Sequence, residues 1–295
     1  MERWRLLDTG RSGGPYNMAV DEGLTQSVVE KDGRPILRLF GWNPPTISFG
    51  YGQDPAREVD LEKCCRAGVE LVRRPTGGRA VLHWEELTYS LICRQDHLRL
   101  GGGIEETYRV IGECLVESLR RFGAPVVLER ASERPTRPRG AGATAPCFSS
   151  ISRWEVKCRG RKLIGSAQRR VDGAILQHGS LLLGEAHCRI LDLLPSMPDR
   201  LRSAWRRQLE EHSICLGECV EREIEVAELV SCLADGFSRC LGVDMCSDIL
   251  TPGEELCVRE LVAKKYGDPF RRRADDAGNG VGGAVPEADL LCVES

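Results

Sequence analysis

Strand-like segments dominate the first 184 residues and constrain the fold more than any other feature. They are ILRLF, TISFGYG, VELVRR, RAVLH and LTYSLICR, then RWEVKCRGRKLIGSAQRR, which is typical of a hairpin, and GAILQHGSLLL. Their Val, Leu, Thr and Tyr content favours strands, and the prolines of GWNPP interrupt regular structure between the first two. After Gly184 the pattern becomes helical. This order predicts an α+β fold with a mixed, largely antiparallel sheet, packed helices and a helical C-terminal region.

Apolar residues recur at helical spacing from Ile104 to Phe122, which predicts a helix packed on the sheet. An earlier helix is expected over residues 16–30, with apolar side chains such as Met18 and Leu24 facing inward. Four further helices are expected over 185–194, 199–215, 224–241 and 252–266.

The chain divides by pattern into three parts. We expect a main domain over 1–220, a helical extension over 221–270 and a flexible tail over 271–295, because the last part is rich in Gly, Ala and Asp and has little periodicity. The segment 133–146, ERPTRPRGAGATAP, has no apolar periodicity and several prolines, so a long mobile loop is expected there.

Composition excludes several classes of protein. Of 295 residues, 41% are hydrophobic and 29% charged, and the net charge of -3 gives no indication of nucleic-acid binding. No segment approaches the roughly 20 consecutive apolar residues of a membrane-spanning helix, so we expect a cytoplasmic protein without a membrane partner.

Fourteen cysteines would then be mostly buried thiols, because a reducing compartment disfavours disulfides. His212, Cys215 and Cys219 have spacings that would place them along one helix face, but a fourth ligand is not evident. We therefore expect no metal and no cofactor.

Three segments carry residues suited to chemistry. In RRPTGGRAVLH, Gly77 and Gly78 follow two arginines and would let a ligand approach the backbone closely; the alternative is an ordinary turn with solvated arginines. Cys147 follows the proline-rich loop, and Lys162 begins the second strand of the predicted hairpin. A lysine near a cysteine favours the thiolate, although each could equally be a surface residue. In ILQHGSLLL, His178 interrupts an apolar strand.

Together, RRPTGGRAVLH, GRKLIGSAQRR and AILQHGSLLL resemble the lipoate–protein ligase and octanoyltransferase superfamily, whose sheet also resembles that of biotin–protein ligases. The resemblance extends to YNMAVDE, LRLFGWNPPTISFGYGQ and ELTYS, and covers residues 3–270. The cysteine in APCFSSISRWEV is similar to the nucleophile of octanoyl-[acyl carrier protein]:protein N-octanoyltransferases.

The resemblance implies a role for each matched residue. Cys147 would attack the octanoyl thioester of acyl carrier protein, and Lys162 would contact the carbonyl region and help to deprotonate the incoming lysine amine. The acyl chain would be lined by Arg73, Gly77, Gly78, His83, Gly165, Ser166, Ala167, His178 and Gly179. The acceptors would be lipoyl domains of the glycine cleavage H protein or of 2-oxo acid dehydrogenase subunits, attracted by Arg73, Arg74, Arg169 and Arg170.

One position departs from the family pattern. In the family an aspartate usually follows the histidine of the glycine loop, the segment RRPTGGRAVLH, whereas this chain has Trp84. If that aspartate orients the loop, Glu85 is the expected substitute. Two enzyme alternatives stay open, namely an amidotransferase between lipoyl-accepting proteins and an ATP-dependent lipoate–protein ligase. A non-catalytic protein that binds lipoyl or acyl groups is a third alternative.

Overall fold

The computed structural model describes residues 1–30, 33–130 and 154–267. The strands are β1 (Glu2–Ser12), β2 (Ile36–Trp42), β3 (Thr46–Phe49), β4 (Glu70–Arg73), β5 (Val81–His83), β6 (Glu86–Arg94), β7 (Val126–Arg130), β8 (Trp154–Cys158), β9 (Arg161–Lys162), β10 (Ile164–Val171), β11 (Ala174–Leu182) and β12 (Val243–Ser247). The helices are α1 (Gly14–Ser27), α2 (Pro55–Glu58), α3 (Leu61–Arg66), α4 (Ile104–Phe122), α5 (Asp199–His212), α6 (Leu216–Cys219), α7 (Val226–Leu241) and α8 (Pro252–Leu261). A 3₁₀ helix covers Ala186–Asp192, and a π-helical turn covers Val262–Tyr266.

A six-stranded sheet in the order β10-β11-β6-β2-β1-β12 forms the centre of the molecule. The pairs β10/β11, β11/β6 and β6/β2 are antiparallel, and β2/β1 and β1/β12 are parallel. Two smaller sheets, β4-β3-β5 and β7-β8-β9, flank it. The predicted α+β fold with a mixed sheet and packed helices is therefore confirmed.

Successive side chains along each central strand point to opposite faces of the sheet, and both faces are apolar. Leu37, Leu39 and Leu91 point to one face and pack with α4 and α7. Ile36 and Phe40, on the other face of β2, pack with α1. A separate apolar cluster lies beneath the small sheet β4-β3-β5 and joins it to the 3₁₀ helix and α5. The helices thus cover both faces of the sheet and leave a space between it and the small sheet.

The expected helices are mostly present. The helix predicted from Ile104 to Phe122 is α4, although Ile104 itself is exposed in the first turn. Met18 and Leu24 of α1 are buried as expected. No helix in the described part of the chain is both long enough and apolar enough to cross a membrane.

The predicted hairpin after residue 153 is only partly right. Strand β8 pairs with β9 over two residue pairs, and the chain then crosses at the buried Leu163 into β10 of the central sheet. Lys162 therefore lies at the junction of two sheets, where the backbone N–H of Ile214 donates to its carbonyl oxygen at 3.0 Å.

The C-terminal segment contains more than the helices expected there. Strand β12 was not predicted, yet it pairs with β1 at the edge of the central sheet, and α7 joins the core against α4. The division at residue 220 stays a prediction. The loop over 133–146, Cys147 and the tail over 271–295 lie outside the described residues.

We predict that Gly236→Ala destabilises the fold, because α7 packs directly against Ser118 of α4 there. A Cβ at this position would lie 2.1 Å from Ser118 Oγ and 2.7 Å from Ser118 Cα. Backbone must move to accept it, at a cost of about 1–3 kcal/mol in the free energy of unfolding by urea. Gly253→Ala is the matched control, since a Cβ on that helical glycine would have no neighbour within 4 Å. Equal stability of the two variants would contradict the prediction.

Candidate active site

A cavity of about 340 Å³ lies between the central sheet and the small sheet β4-β3-β5. The residues predicted from the sequence that line it are Gly77, Gly78, His83, Lys162, Gly165, Ser166, Ala167, His178 and Gly179. Further lining residues include Met18, Trp42, Ser48, Arg74, Thr88 and Tyr108. Three segments that are distant in the sequence therefore meet around one space. Cys147, the predicted nucleophile, lies outside the described residues.

Arg73 was expected to line this space, but it is its neighbour Arg74 that does so. The Arg73 guanidinium instead donates to the backbone carbonyl oxygens of Tyr51, at 3.0 Å, and Gln53. Because side chains alternate along strand β4 and its continuation, adjacent arginines point in opposite directions. The arginine that lines the cavity is therefore one position later in the sequence than expected.

Arg74 organises the glycine loop from within. Its side chain is buried and donates to the carbonyl oxygens of Ser48 at 2.8 Å, Gly77 at 2.8 Å and Arg79 at 2.7 Å, and to Ser48 Oγ at 3.0 Å. Gly78 has φ +100°, and a Cβ there would lie 2.7 Å from Arg74 Nη2. The loop thus folds around a guanidinium, and the expectation that Arg74 attracts a partner from the surface is wrong.

His83 is fixed from three sides. Its Nε2 lies 2.7 Å from Ser48 Oγ, its Nδ1 lies 2.9 Å from Glu86 Oε1, and the Trp42 ring stacks on it with centroids 4.0 Å apart. Glu86 is therefore the carboxylate that orients this histidine. Glu85 has φ +51° and accepts a hydrogen bond from the backbone of the 3₁₀ helix.

His178 belongs to a buried hydrogen-bond network that was not predicted from the sequence. Its Nε2 lies 2.7 Å from Thr76 Oγ1, and its Nδ1 lies 3.0 Å from Asp21 Oδ2. The other carboxylate oxygen, Oδ1, accepts from Arg38 Nη1 at 2.7 Å. Burial lowers the pKa of His178, so the ring is neutral near pH 7. The polar residues of YNMAVDE, within an otherwise buried helix, were the available indication of this network.

The carboxyl group of Asp21 is ionised in this environment. Burial opposes the charge, but the hydrogen bond with His178 and the positive charge of Arg38 outweigh it and hold the pKa of Asp21 below its usual value. The side chains of Asp21 and Arg38 have no solvent exposure. Each charge therefore depends on the other for compensation.

Lys162 completes the wall where β9 leads into the central sheet. Its Nζ donates to Glu155 Oε1 at 3.0 Å, and both residues are 6% exposed. Glu155 was not singled out in the sequence, because the pair spans seven residues and forms only through the short β8/β9 turn.

Two tyrosines, Tyr89 and Tyr108, pack against strand β10 at Ser166. Tyr89 Oη lies 2.8 Å from Ser166 Oγ, and burial raises the pKa of Tyr89 to about 12. Burial also raises the pKa of Tyr108. A Cβ at Gly179 would lie 2.6 Å from both Ser166 Oγ and Tyr89 Cε1, so this packing requires glycine. Both phenols remain protonated at neutral pH.

The possible metal cluster is not assembled on one helix. Helix α5 ends at His212, and Cys215 is the N-cap of the separate helix α6, which contains Cys219. Within residues 1–30, 33–130 and 154–267, no group of three or more His, Cys, Asp or Glu side chains could hold a metal ion.

We predict that Asp21→Asn lowers the free energy of unfolding at pH 7 by about 3 kcal/mol or more, because it leaves the buried guanidinium of Arg38 uncompensated. The folded-state pKa of Asp21 is depressed, so its stabilisation is present at neutral pH and is lost as the pH falls through that value. Urea unfolding should thus show the difference from wild type narrowing in acid.

Asp96→Asn removes the carboxylate of an exposed pair with Arg94 and serves as the control. This control should change stability little, because exposed ion pairs contribute little. A loss in Asp21→Asn no larger than in the control would show that the buried network is dispensable.

Comparison with known proteins supports one family. The model of the lipoyl protein ligase A/B catalytic domain matches residues 14–238. An octanoyltransferase LipM of Kyrpidia tusciae is 40% identical over 92% of this chain and 100% of the relative, and one of Bacillus subtilis is 35% identical over 90% of this chain and 96% of the relative.

Solved structures of lipoate protein ligases share the fold of this chain. A bipartite lipoate protein ligase from Thermoplasma acidophilum superposes with a TM-score of 0.74 at 26% identity, over 92% of this chain and 98% of that one. A lipoate-protein ligase A bound with ATP has a TM-score of 0.69 at 28% identity, over 91% and 97% of the two chains. The chain therefore belongs to the lipoyl protein ligase A/B catalytic-domain family.

Proposed function

We propose that this protein is an octanoyltransferase of lipoate biosynthesis. It takes an octanoyl group from acyl carrier protein onto Cys147 as a thioester and passes it to a lysine amine of a lipoyl-accepting domain. The names of relatives that are 35–41% identical support octanoyl transfer. The carrier protein, the acceptors and the covalent intermediate follow from the sequence resemblance and the chemistry below.

The observation that carries the proposal is the charge balance of the cavity wall. Its two described cationic lining residues, Arg74 and Lys162, already donate to protein oxygens: Arg74 to backbone carbonyls and Lys162 to Glu155. His178 is neutral, because burial lowers its pKa. A wall whose positive charges are already partnered suits an uncharged acyl thioester better than a free carboxylate, which would need donors of its own.

Each step of the proposed reaction balances without a cofactor. The Cys147 thiolate attacks the thioester carbonyl, the bond from the carbonyl carbon to the carrier sulfur breaks, and that sulfur takes a proton from the Lys162 ammonium, which leaves Lys162 as a neutral amine. The acceptor amine then attacks the new thioester, an amide bond forms, and the Cys147 sulfur departs. Lys162 accepts the proton lost by the amine. Burial of the octanoyl chain among apolar walls contributes roughly 0.8 kcal/mol per methylene.

Two related activities would use the same cavity. An amidotransferase would take octanoyl from one lipoyl-accepting protein, such as the glycine cleavage H protein, rather than from acyl carrier protein. A ligase would need ATP and a free acid, as the fold likeness to a lipoate-protein ligase A bound with ATP allows. Supplying each donor separately, with and without ATP, distinguishes the three.

We predict that wild-type protein mixed with octanoyl-acyl carrier protein and no ATP gains the mass of one octanoyl group, which hydroxylamine removes. Cys147→Ser should form no thioester and transfer poorly, because a serine hydroxyl is a much weaker nucleophile than a thiolate. Cys65→Ser, at an exposed thiol, is the control and should behave as wild type. Wild-type transfer by Cys147→Ser, or activity only with ATP and free octanoate, would reject the thioester route.

Lys162→Ala should slow both halves of the reaction, because it removes the proton donor to the leaving carrier sulfur in the first half and the acceptor of the amine proton in the second. Loss of general base catalysis alone typically costs about 10²–10⁴-fold in rate. Single-turnover measurements would follow acylation of Cys147 and its discharge to a lipoyl domain separately. Lys264→Ala, at an exposed lysine, is the control. Unchanged rates in both steps would remove Lys162 from the mechanism.

A further inference from the structure

Helices α4 and α7 pack side by side and run in opposite directions. Just before α7 begins, Arg222 donates to the carbonyl oxygen of Phe122, the last residue of α4, at 3.0 Å. At the other end, a Cβ on Gly242, the C-cap of α7, would lie 3.5 Å from the guanidinium of Arg99, which precedes α4. Each turn of α4 therefore faces a particular turn of α7.

Cys114 and Cys240 face each other across this interface. The helices touch where Ser118 of α4 meets Gly236 of α7, since a Cβ on that glycine would lie 2.7 Å from Ser118 Cα. Cys114 lies one turn before Ser118, and Cys240 lies one turn after Gly236. Antiparallel packing thus brings the two cysteines to the same level. Both are free cysteines, and the Cys114 thiol donates a hydrogen bond to the Cys240 sulfur.

The two thiols differ in exposure and in acidity. Cys114 is buried, whereas Cys240 is partly exposed. The hydrogen bond from Cys114 lowers the pKa of the Cys240 thiol, against the effects of burial and of the charges of Glu113 and Glu117, and Arg99 adds to the lowering. The same hydrogen bond and burial raise the pKa of Cys114. One thiol is thus accessible and favours ionisation, and a second lies directly behind it.

We propose that Cys114 and Cys240 form a peroxide-reactive dithiol, in which Cys240 is oxidised first and Cys114 then closes a disulfide between α4 and α7. A redox-sensitive cysteine is typically accessible, of low pKa and next to a second cysteine that resolves its oxidised form. Neither cysteine lines the acyl cavity. The inference is therefore independent of the proposed function.

Both steps balance with peroxide as the oxidant. The Cys240 thiolate attacks one peroxide oxygen, the O–O bond breaks, and the second oxygen departs and takes up a proton. Cys240 is then a sulfenic acid. The Cys114 sulfur attacks the Cys240 sulfur, the S–O bond breaks, and the departing oxygen takes the Cys114 proton and leaves as water.

A second pair of neighbouring thiols provides an internal comparison. Cys158 of β8 and Cys219 of α6 also share a hydrogen bond, and both are buried. Burial and this hydrogen bond raise the pKa of Cys219. The two pairs are alike in proximity, but neither member of this one is exposed to peroxide. We therefore expect it to remain reduced.

The experiment treats the reduced, folded protein with hydrogen peroxide, blocks the remaining thiols with iodoacetamide under denaturing conditions and digests the protein without reduction. Tandem mass spectrometry should find peptides joined through Cys114 and Cys240, with a combined mass lower by two hydrogen atoms. Peptide mapping separates this bond from oxidation of Cys147. In Cys114→Ser the bond cannot close, so a sulfenic acid should persist on Cys240 and be trapped by dimedone.

Cys232→Ser is the matched control, because Cys232 is a partly exposed thiol on the same helix and burial raises its pKa. This variant should form the disulfide as wild type does. In wild type, Cys240 should react with peroxide faster than Cys232 by about tenfold or more, since the thiolate is the reactive form.

The disulfide in wild type, together with a dimedone adduct on Cys240 in Cys114→Ser, would support the proposal. Absence of the disulfide in folded wild type would overturn it. So would equal oxidation of the Cys158–Cys219 pair, or a rate at Cys240 no greater than at Cys232. If Cys114→Ser does not fold, the wild-type measurements decide the question alone.

Discussion

The buried ion pair between Asp21 and Arg38 is the interaction on which the cavity depends. It joins helix α1 to strand β2, and the same carboxylate accepts from Ser90 of β6 at 2.8 Å and contacts His178 of β11. Four elements therefore converge on one charge that has no contact with water. Such a pair adds little net stability over apolar packing, but losing one member is costly. Its value here lies in orientation: His178 is held toward Thr76, and Thr76 belongs to the glycine loop.

A second buried cation determines the opposite wall. The glycine loop offers few apolar side chains to bury, so its order comes from the hydrogen bonds that Arg74 donates to its carbonyl oxygens and to Ser48. Hydrogen bonds from a charged donor are stronger than neutral ones, and an unmade one would be costly in a buried site. The two walls are thus fixed by two buried guanidinium groups, Arg38 on β2 of the central sheet and Arg74 directly after β4 of the small sheet.

The sequence predicted the parts of this structure that follow from periodicity, namely the long helix α4, the buried strands and the α+β class. It could not separate Arg73 from Arg74, because which neighbour points inward depends on the phase of a strand whose end is ambiguous by one residue. Strand β12 was missed because VDMCS has only a short apolar pattern, and its place is decided by pairing with β1 at the other end of the chain.

The likeness to ligase structures shows why the fold alone does not determine the reaction. A TM-score of 0.74 at 26% identity indicates the same arrangement of strands and helices, and one fold can support several chemistries. The chemistry of a given chain therefore depends on the individual side chains that face the cavity. In this chain the carboxylates of Asp21, Glu86 and Glu155 each contact a basic side chain at or beside the cavity. The fold therefore supplies the cavity, and these paired carboxylates fix the basic side chains that face it, namely His83, Lys162 and His178.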